Sequence, residues 1–192
     1  MKVIAFNGSP RREGNTSLLI GHACDVLNRE GIATEVVQVG GGKLRGCIAC
    51  YQCFERKDHR CAVTDDLANS CIEKMLKADG IIIGSPVYNA DLTADAKAFL
   101  EVASYAMGAA GRPLKHIPGA AVIAVRRAGA IHAFDSINHF FLINEMIVPG
   151  SSYWNIGIGR EKGEVLKDEE GIKTMKVLGE NMAWLMKKLK KK

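Results

Sequence analysis

Aromatic side chains are scarce, 6% of 192 residues, and no apolar run nears the roughly 20 residues that a membrane-crossing helix requires. No membrane association is expected. Repeats and low-complexity blocks are absent, which argues against a solenoid or a disordered linker. Met1-Lys2 runs straight into an apolar, strand-like stretch without the plan of a secretory leader, so a cytoplasmic protein is the expectation. The constellations of hydrolases are missing too: there is no HExxH, no Ser-His-Asp spacing and no paired acids. His22, His116, His132 and His139 stand in no arrangement with carboxylates or cysteines that suggests catalysis.

What is present suits one domain with a real core: 47% of the residues are hydrophobic, ordinary for a globular chain. The net charge of +5 owes much to Lys187, Lys188, Lys190, Lys191 and Lys192. Such a tail reads as a solvated helix end, whose dipole favours cations, rather than as a nucleic-acid contact.

Helical periodicity predicts helices over residues 16–29, 64–78, 93–106, 133–145 and from 167 onward. Between them lie apolar runs at residues 3–7, 33–39, 80–85 and 120–125, with a last strand shared by 147–148 and 153–158. Strict β-α alternation predicts an α/β domain, an open parallel sheet with helices on both faces. Right-handed crossovers then put a crevice at the strands' carboxyl ends, lined by residues 8–17, 86–91 and 126–132.

The first of these loops, in VIAFNGSPRREGNTSLL, joins a strand to a helix N-terminus. Backbone N–H groups and the positive helix end converge there, so an anion belongs in it. Ser9, Asn15, Thr16 and Ser17 can hydrogen-bond phosphate oxygens, and Arg11 or Arg12 can neutralise them. The loop has neither GK[ST] nor GxGxxG, which leaves out a P-loop triphosphate and a diphosphate-spanning turn. A terminal phosphate monoester, as in FMN, fits better. In Ser85-Pro86-Val87-Tyr88-Asn89, Pro86 stiffens a turn, Tyr88 can cover an aromatic ring and the backbone of residues 87–89 can bond its polar edge. Arg126-Arg127-Ala128-Gly129 brings positive charge and a close-approaching glycine to another side, which favours a reduced, anionic flavin.

Cys47, Cys50, Cys53 and Cys61 follow a C-x2-C-x2-C-x7-C pattern. Three thiols at intervals of three curl together, and a fourth returns one loop later. A [4Fe–4S] cubane needs one thiolate per iron and suits such a triplet. Tetrahedral zinc, for which His59 is at hand, more often takes two separated pairs. Arg45, Arg56, Lys57 and Arg60 surround the segment and can offset thiolate charge. Cys24 and Cys71 fall on helices and read as small buried hydrophobes.

Through GSPRREGNTS, ADGIIIGSPVYNADLTADAKAFLE and the VRRAGAIHAF region the chain resembles the NADPH-dependent FMN reductase-like flavoproteins. The cysteine segment is similar to that of their iron–sulfur flavoprotein branch. The resemblance implies a flavodoxin-like fold, five parallel strands in the order 2-1-3-4-5, as a single FMN-binding domain over residues 1–192 with a cysteine-rich insert at 43–63. It implies Ser9, Arg11, Asn15, Thr16 and Ser17 for the FMN phosphate. Pro86, Val87, Tyr88 and Asn89, with Arg126, Ala128 and Gly129, are implied for the ring, and Cys47, Cys50, Cys53 and Cys61 for a [4Fe–4S] cluster. The expected function is FMN-dependent oxidoreduction, with electrons from NAD(P)H or a ferredoxin-like partner and the chemistry on the flavin. A homo-dimer or homo-tetramer is implied, with residues 108–119 a contact. The rival expectations are a cluster-free NAD(P)H-dependent FMN or quinone reductase and a zinc-binding adaptor on a flavodoxin-like scaffold.

Overall fold

A computed structural model describes residues 1–190, so Lys191 and Lys192 of the lysine tail lie outside the described residues. Five parallel strands, β1 (Lys2–Asn7), β2 (Ala33–Gln38), β3 (Gly80–Pro86), β4 (Gly119–Val125) and β5 (Ile156–Ile158), form one sheet in the order β2-β1-β3-β4-β5. Six α-helices pack with them among the described residues: α1 (Asn15–Arg29), α2 (Gln52–Arg56), α3 (Ala68–Leu76), α4 (Ala94–Ala109), α5 (Ala130–Ile143) and, after the last strand, α6 (Glu169–Lys190). The flavodoxin-like order expected from the sequence is the one observed.

Strand alternation divides the core in two. Ile4 and Phe6 of β1, Ile81 and Ile83 of β3 and Ile123 of β4 face a layer with α3, α4 and α5. Val3, Ala5, Ile82 and Val122 face the layer with α1 and α6. Both faces of β3 and β4 are covered, which is why those strands are apolar at every position but Ser85. The methionine and leucine stripe of α6, with Met175, Leu178 and Met182 fully buried, packs into the second layer.

Three boundaries depart from the sequence reading. The helix expected over residues 64–78 begins at Ala68, because Leu67 N–H is drawn to Lys43 O and Asp66 Oδ1 accepts from Ala68 N–H. The last strand shrinks to Ile156–Ile158, while Ile147 makes a lone bridge to Pro118. Pro149-Gly150 separates the two pieces. The helix expected from residue 133 starts at Ala130, directly after Gly129 at φ 86°.

Candidate functional site

The loop after β1 is held from three directions. Asn7 Oδ1 accepts from Ser9 N–H at 3.1 Å, and Asn7 Nδ2 donates to Gln38 Oε1 at 2.9 Å. Gln38 Nε2 donates to Ser9 O and to Gly40 O, each at 2.6 Å. Thr93 Oγ1 donates to Gly8 O at 2.7 Å and accepts from Ala96 N–H at 3.2 Å, so one buried hydroxyl caps α4 and anchors the loop. Gly40 lies so close that a Cβ there would stand 2.3 Å from Gly8 O. Thr93, Gln38 and Gly40 were not among the sequence candidates, since each acts by holding backbone rather than by facing a ligand.

This bracing leaves the start of α1 free. The helix has no side-chain cap and no acid in its first turn. Among the described residues, the N–H groups of Asn15, Thr16 and Ser17 have no acceptor, the first intrahelical bond being Leu18 N–H to Gly14 O at 3.2 Å. Thr16 is 1% exposed, and its Oγ1 is buried without a hydrogen-bond partner. Unclaimed donors beside an orphaned hydroxyl, at the positive end of a helix, fit a phosphate monoester. Ser9 Oγ accepts from Arg11 N–H at 3.2 Å and keeps its own proton to donate. Arg11 and Arg12 are exposed at the rim.

Asn15 contributes differently from the sequence expectation. Its Nδ2 donates to Gly159 O at 3.1 Å and Glu161 O at 2.9 Å, while Oδ1 accepts from Gly163 N–H at 2.8 Å. The side chain straps the loop after β5 to the helix start, and only its backbone N–H is left for an anion.

The two other loops abut at the carboxyl ends of β3 and β4. Val87 N–H donates to Ala124 O at 2.9 Å. Tyr88 and Asp91 exchange both backbone bonds around Asn89 and Ala90, whose φ values of 50° and 66° are both left-handed. A tight turn with two non-glycine residues at positive φ stores strain, as functional loops often do. Tyr88 remains 46% exposed, its ring free to cover a ligand. Gly129 closes the contact: a Cβ would lie 2.8 Å from Ala90 Cα, and His132 Nε2 sits 3.5 Å from Asp91 Oδ2. Gly129 thus stands against Val87 and Ala90. Arg126 parts from them and lines a cavity of about 490 Å³ with Gly159, Arg160, Glu164, Lys167 and Asp168.

All four predicted cysteines line one narrow cleft with a cavity of about 30 Å³. Val102, Tyr105 and Ala106 of α4 form its floor, and Asp66 and Arg45 its edge. Ala49 and Tyr51 take left-handed φ values of 52° and 56° on either side of Cys50. Such reversals turn successive N–H groups to one side and favour an anionic group there. Ala49 N–H points at Cys47 Sγ, 3.4 Å away. Burial pushes the Cys53 thiol up, opposed by the N–H groups of Cys53 and Phe54. Burial likewise raises Cys61, with Val63 N–H pulling it down. Soft sulfur donors with backbone N–H support fit an iron–sulfur group. Among the described residues, no three His, Cys, Asp or Glu side chains close on a point as ligands of one ion. Cys24 and Cys71 are buried on α1 and α3, away from the cleft.

A doubly wound sheet with strands in the order 2-1-3-4-5 and an uncapped helix at its switch point defines a flavodoxin-like protein. The match to known proteins is narrower. The model of the NADPH-dependent FMN reductase family matches residues 1–161, and the chain belongs to that family of FMN-dependent oxidoreductases. An iron–sulfur flavoprotein of Methanocaldococcus jannaschii is 37% identical over 204 aligned positions, covering 100% of both chains. One from Methanosarcina thermophila is 33% identical over 177, covering 91% of this chain and 90% of its own. Among solved structures, RosB with bound 8-demethyl-8-formylriboflavin-5′-phosphate superposes with a TM-score of 0.78 at 21% identity, over 100% of this chain and 81% of RosB. An archaeal flavodoxin does so at 0.63 and 15% identity, over 97% and 99%. At those identities the two superpositions speak for the fold alone.

Proposed function

We propose that the chain is a single FMN-binding electron-transfer unit over residues 1–192, whose cysteine insert at 43–63 carries a [4Fe–4S] cluster. The observation that carries the flavin reading is the orphaned Thr16 hydroxyl among the three unclaimed N–H groups of α1. The four thiols around one cleft support the cluster, as do the names of the archaeal relatives.

FMN when bound supplies transfer of electrons in pairs or singly, and an iron–sulfur cluster supplies single-electron transfer. Ser9, Arg11, Thr16 and Ser17, with the N–H of Asn15, hold the phosphate. Asn15 also keeps the loop after β5 against it. Pro86, Val87, Tyr88 and Asn89, with Ala128 and Gly129, would hold the ring. Tyr88 shields the ring from water, and Arg126 adds positive potential at the rim. Cys47, Cys50, Cys53 and Cys61 ligate iron. No side chain is needed as acid or base. NAD(P)H or a ferredoxin-like protein is the donor, and the protein works as a homo-dimer or homo-tetramer.

Anaerobic purification with a visible spectrum and iron and sulfide assays tests this. The reading expects flavin absorbance at about 450 nm and about four irons per chain. Flavin without iron points to a cluster-free FMN or quinone reductase. Colourless protein that takes up no FMN overturns the flavin reading and leaves the zinc-binding adaptor.

A further inference from the structure

The fourth cysteine poses a geometric problem. Residues 54–60 carry the chain away from the curl of Cys47, Cys50 and Cys53, and Cys61 lies in no helix or strand that would return it. The excursion folds on itself: Arg56 Nη2 donates to Asp58 Oδ2 at 2.6 Å, and Asp58 Oδ1 accepts from Arg60 N–H at 3.1 Å. Lys57 and His59 both reverse the chain at left-handed φ, 53° and 59°. Arg60 then pairs with Glu73 on α3. These contacts are exposed, and surface pairs hold a loop only loosely.

One buried side chain fixes the cysteine itself. Asn69, on the first turn of α3 and 6% exposed, accepts from Cys61 N–H through Oδ1 at 2.8 Å. Its Nδ2 donates to Cys61 O and to Val63 O, each at 3.0 Å. The amide thus clamps both backbone groups of Cys61, and no carboxylate or hydroxyl offers that pair of an acceptor and two donors. The clamp rests on a rigid base, because its neighbours Ala68 and Ile72 are wholly buried in the core. The same helix start ties down the other half of the cleft: Asp66 Oδ2 accepts from Arg45 N–H at 3.2 Å, two residues before Cys47.

We propose that Asn69 is the positioning residue for the fourth cluster ligand, setting Cys61 Sγ at the cleft by fixing the backbone on either side of it. This rests on the reading of the four cysteines as iron ligands. With the clamp lost, Cys61 swings with its loop, and the iron it would hold is the first to leave.

The test compares anaerobically purified full-length wild type with Asn69→Ala, the milder Asn69→Ser, and Cys61→Ser. FMN affinity serves as the check that each is folded. Expected are about four irons per chain in the wild type and three or fewer in both Asn69 variants. An electron paramagnetic resonance signal in the oxidised state should match that of Cys61→Ser. In iron-free protein, iodoacetamide should modify Cys61 about tenfold faster in the two Asn69 variants than in wild type, with Cys50 unchanged. Full iron, an unaltered signal and unaltered Cys61 alkylation in either folded variant overturn the proposal. A wild type without iron overturns the cluster reading instead, and the alkylation arm still decides whether Asn69 holds Cys61.

Discussion

Substituting Thr16→Val separates a phosphate-binding hydroxyl from a merely buried one, because the two roles predict opposite signs. Valine keeps the shape and nearly the helix propensity of threonine, and replaces a hydroxyl that is buried without a partner. An unsatisfied buried polar group costs about 1–3 kcal/mol. The FMN-free variant should therefore be more stable than wild type, each kcal/mol raising the melting temperature by about 2–4 °C for a domain of this size. Binding should move the other way. A hydrogen bond to a charged phosphate oxygen is worth about 1.5–3 kcal/mol, so FMN affinity should fall by about 10- to 150-fold. Riboflavin, which lacks the phosphate, should bind both proteins alike. Thermal melts without ligand, with titrations of FMN and riboflavin, make the assay. A variant less stable without FMN, and unchanged toward FMN, would refute the reasoning.

Three further outcomes follow from the same contacts. Gly40→Ala places a methyl against Gly8 O and the Ser9 backbone, so chemical denaturation should show a loss of about 1–3 kcal/mol together with weaker FMN binding. Thr93→Ala removes the α4 cap and the anchor of Gly8, costing about 1 kcal/mol in the same assay. Hydrogen bonds first from Lys2 and then from Lys74 pull Glu35 from 4.5 to about 2. A depressed carboxyl stabilises the fold above its unfolded value and loses that contribution as pH falls toward its folded one. Melting temperature measured from pH 5 down to pH 2 should therefore fall less steeply in Glu35→Gln than in wild type.

The sequence was most legible where one periodicity dominated. The GIIIGS and AAVIAV runs could only be strands covered on both faces, and with the alternation of helices they determine the sheet. Boundaries were lost where a local side-chain bond outweighed periodicity, as at Asp66 before α3. The loop proposed to hold the phosphate could be singled out from its small polar residues. The bracing behind it could not, because Gln38, Gly40 and Thr93 meet it from distant parts of the chain. The bonds of the Asn15 side chain were hidden for the same reason: its partners, Gly159, Glu161 and Gly163, lie far along the sequence. The cysteine spacing drew attention to the four thiols, yet Asn69, which clamps the backbone of Cys61, carries no signal of its own outside the folded chain.

The central claim is that the end of α1 captures a phosphate monoester attached to a flavin. Calorimetric titration of flavin-free protein with FMN and with riboflavin, at one fixed salt concentration, tests it most directly. Two charge-assisted bonds at about 1.5 kcal/mol each predict FMN at least about 100-fold tighter than riboflavin. Equal affinities, or no uptake of FMN, would contradict it.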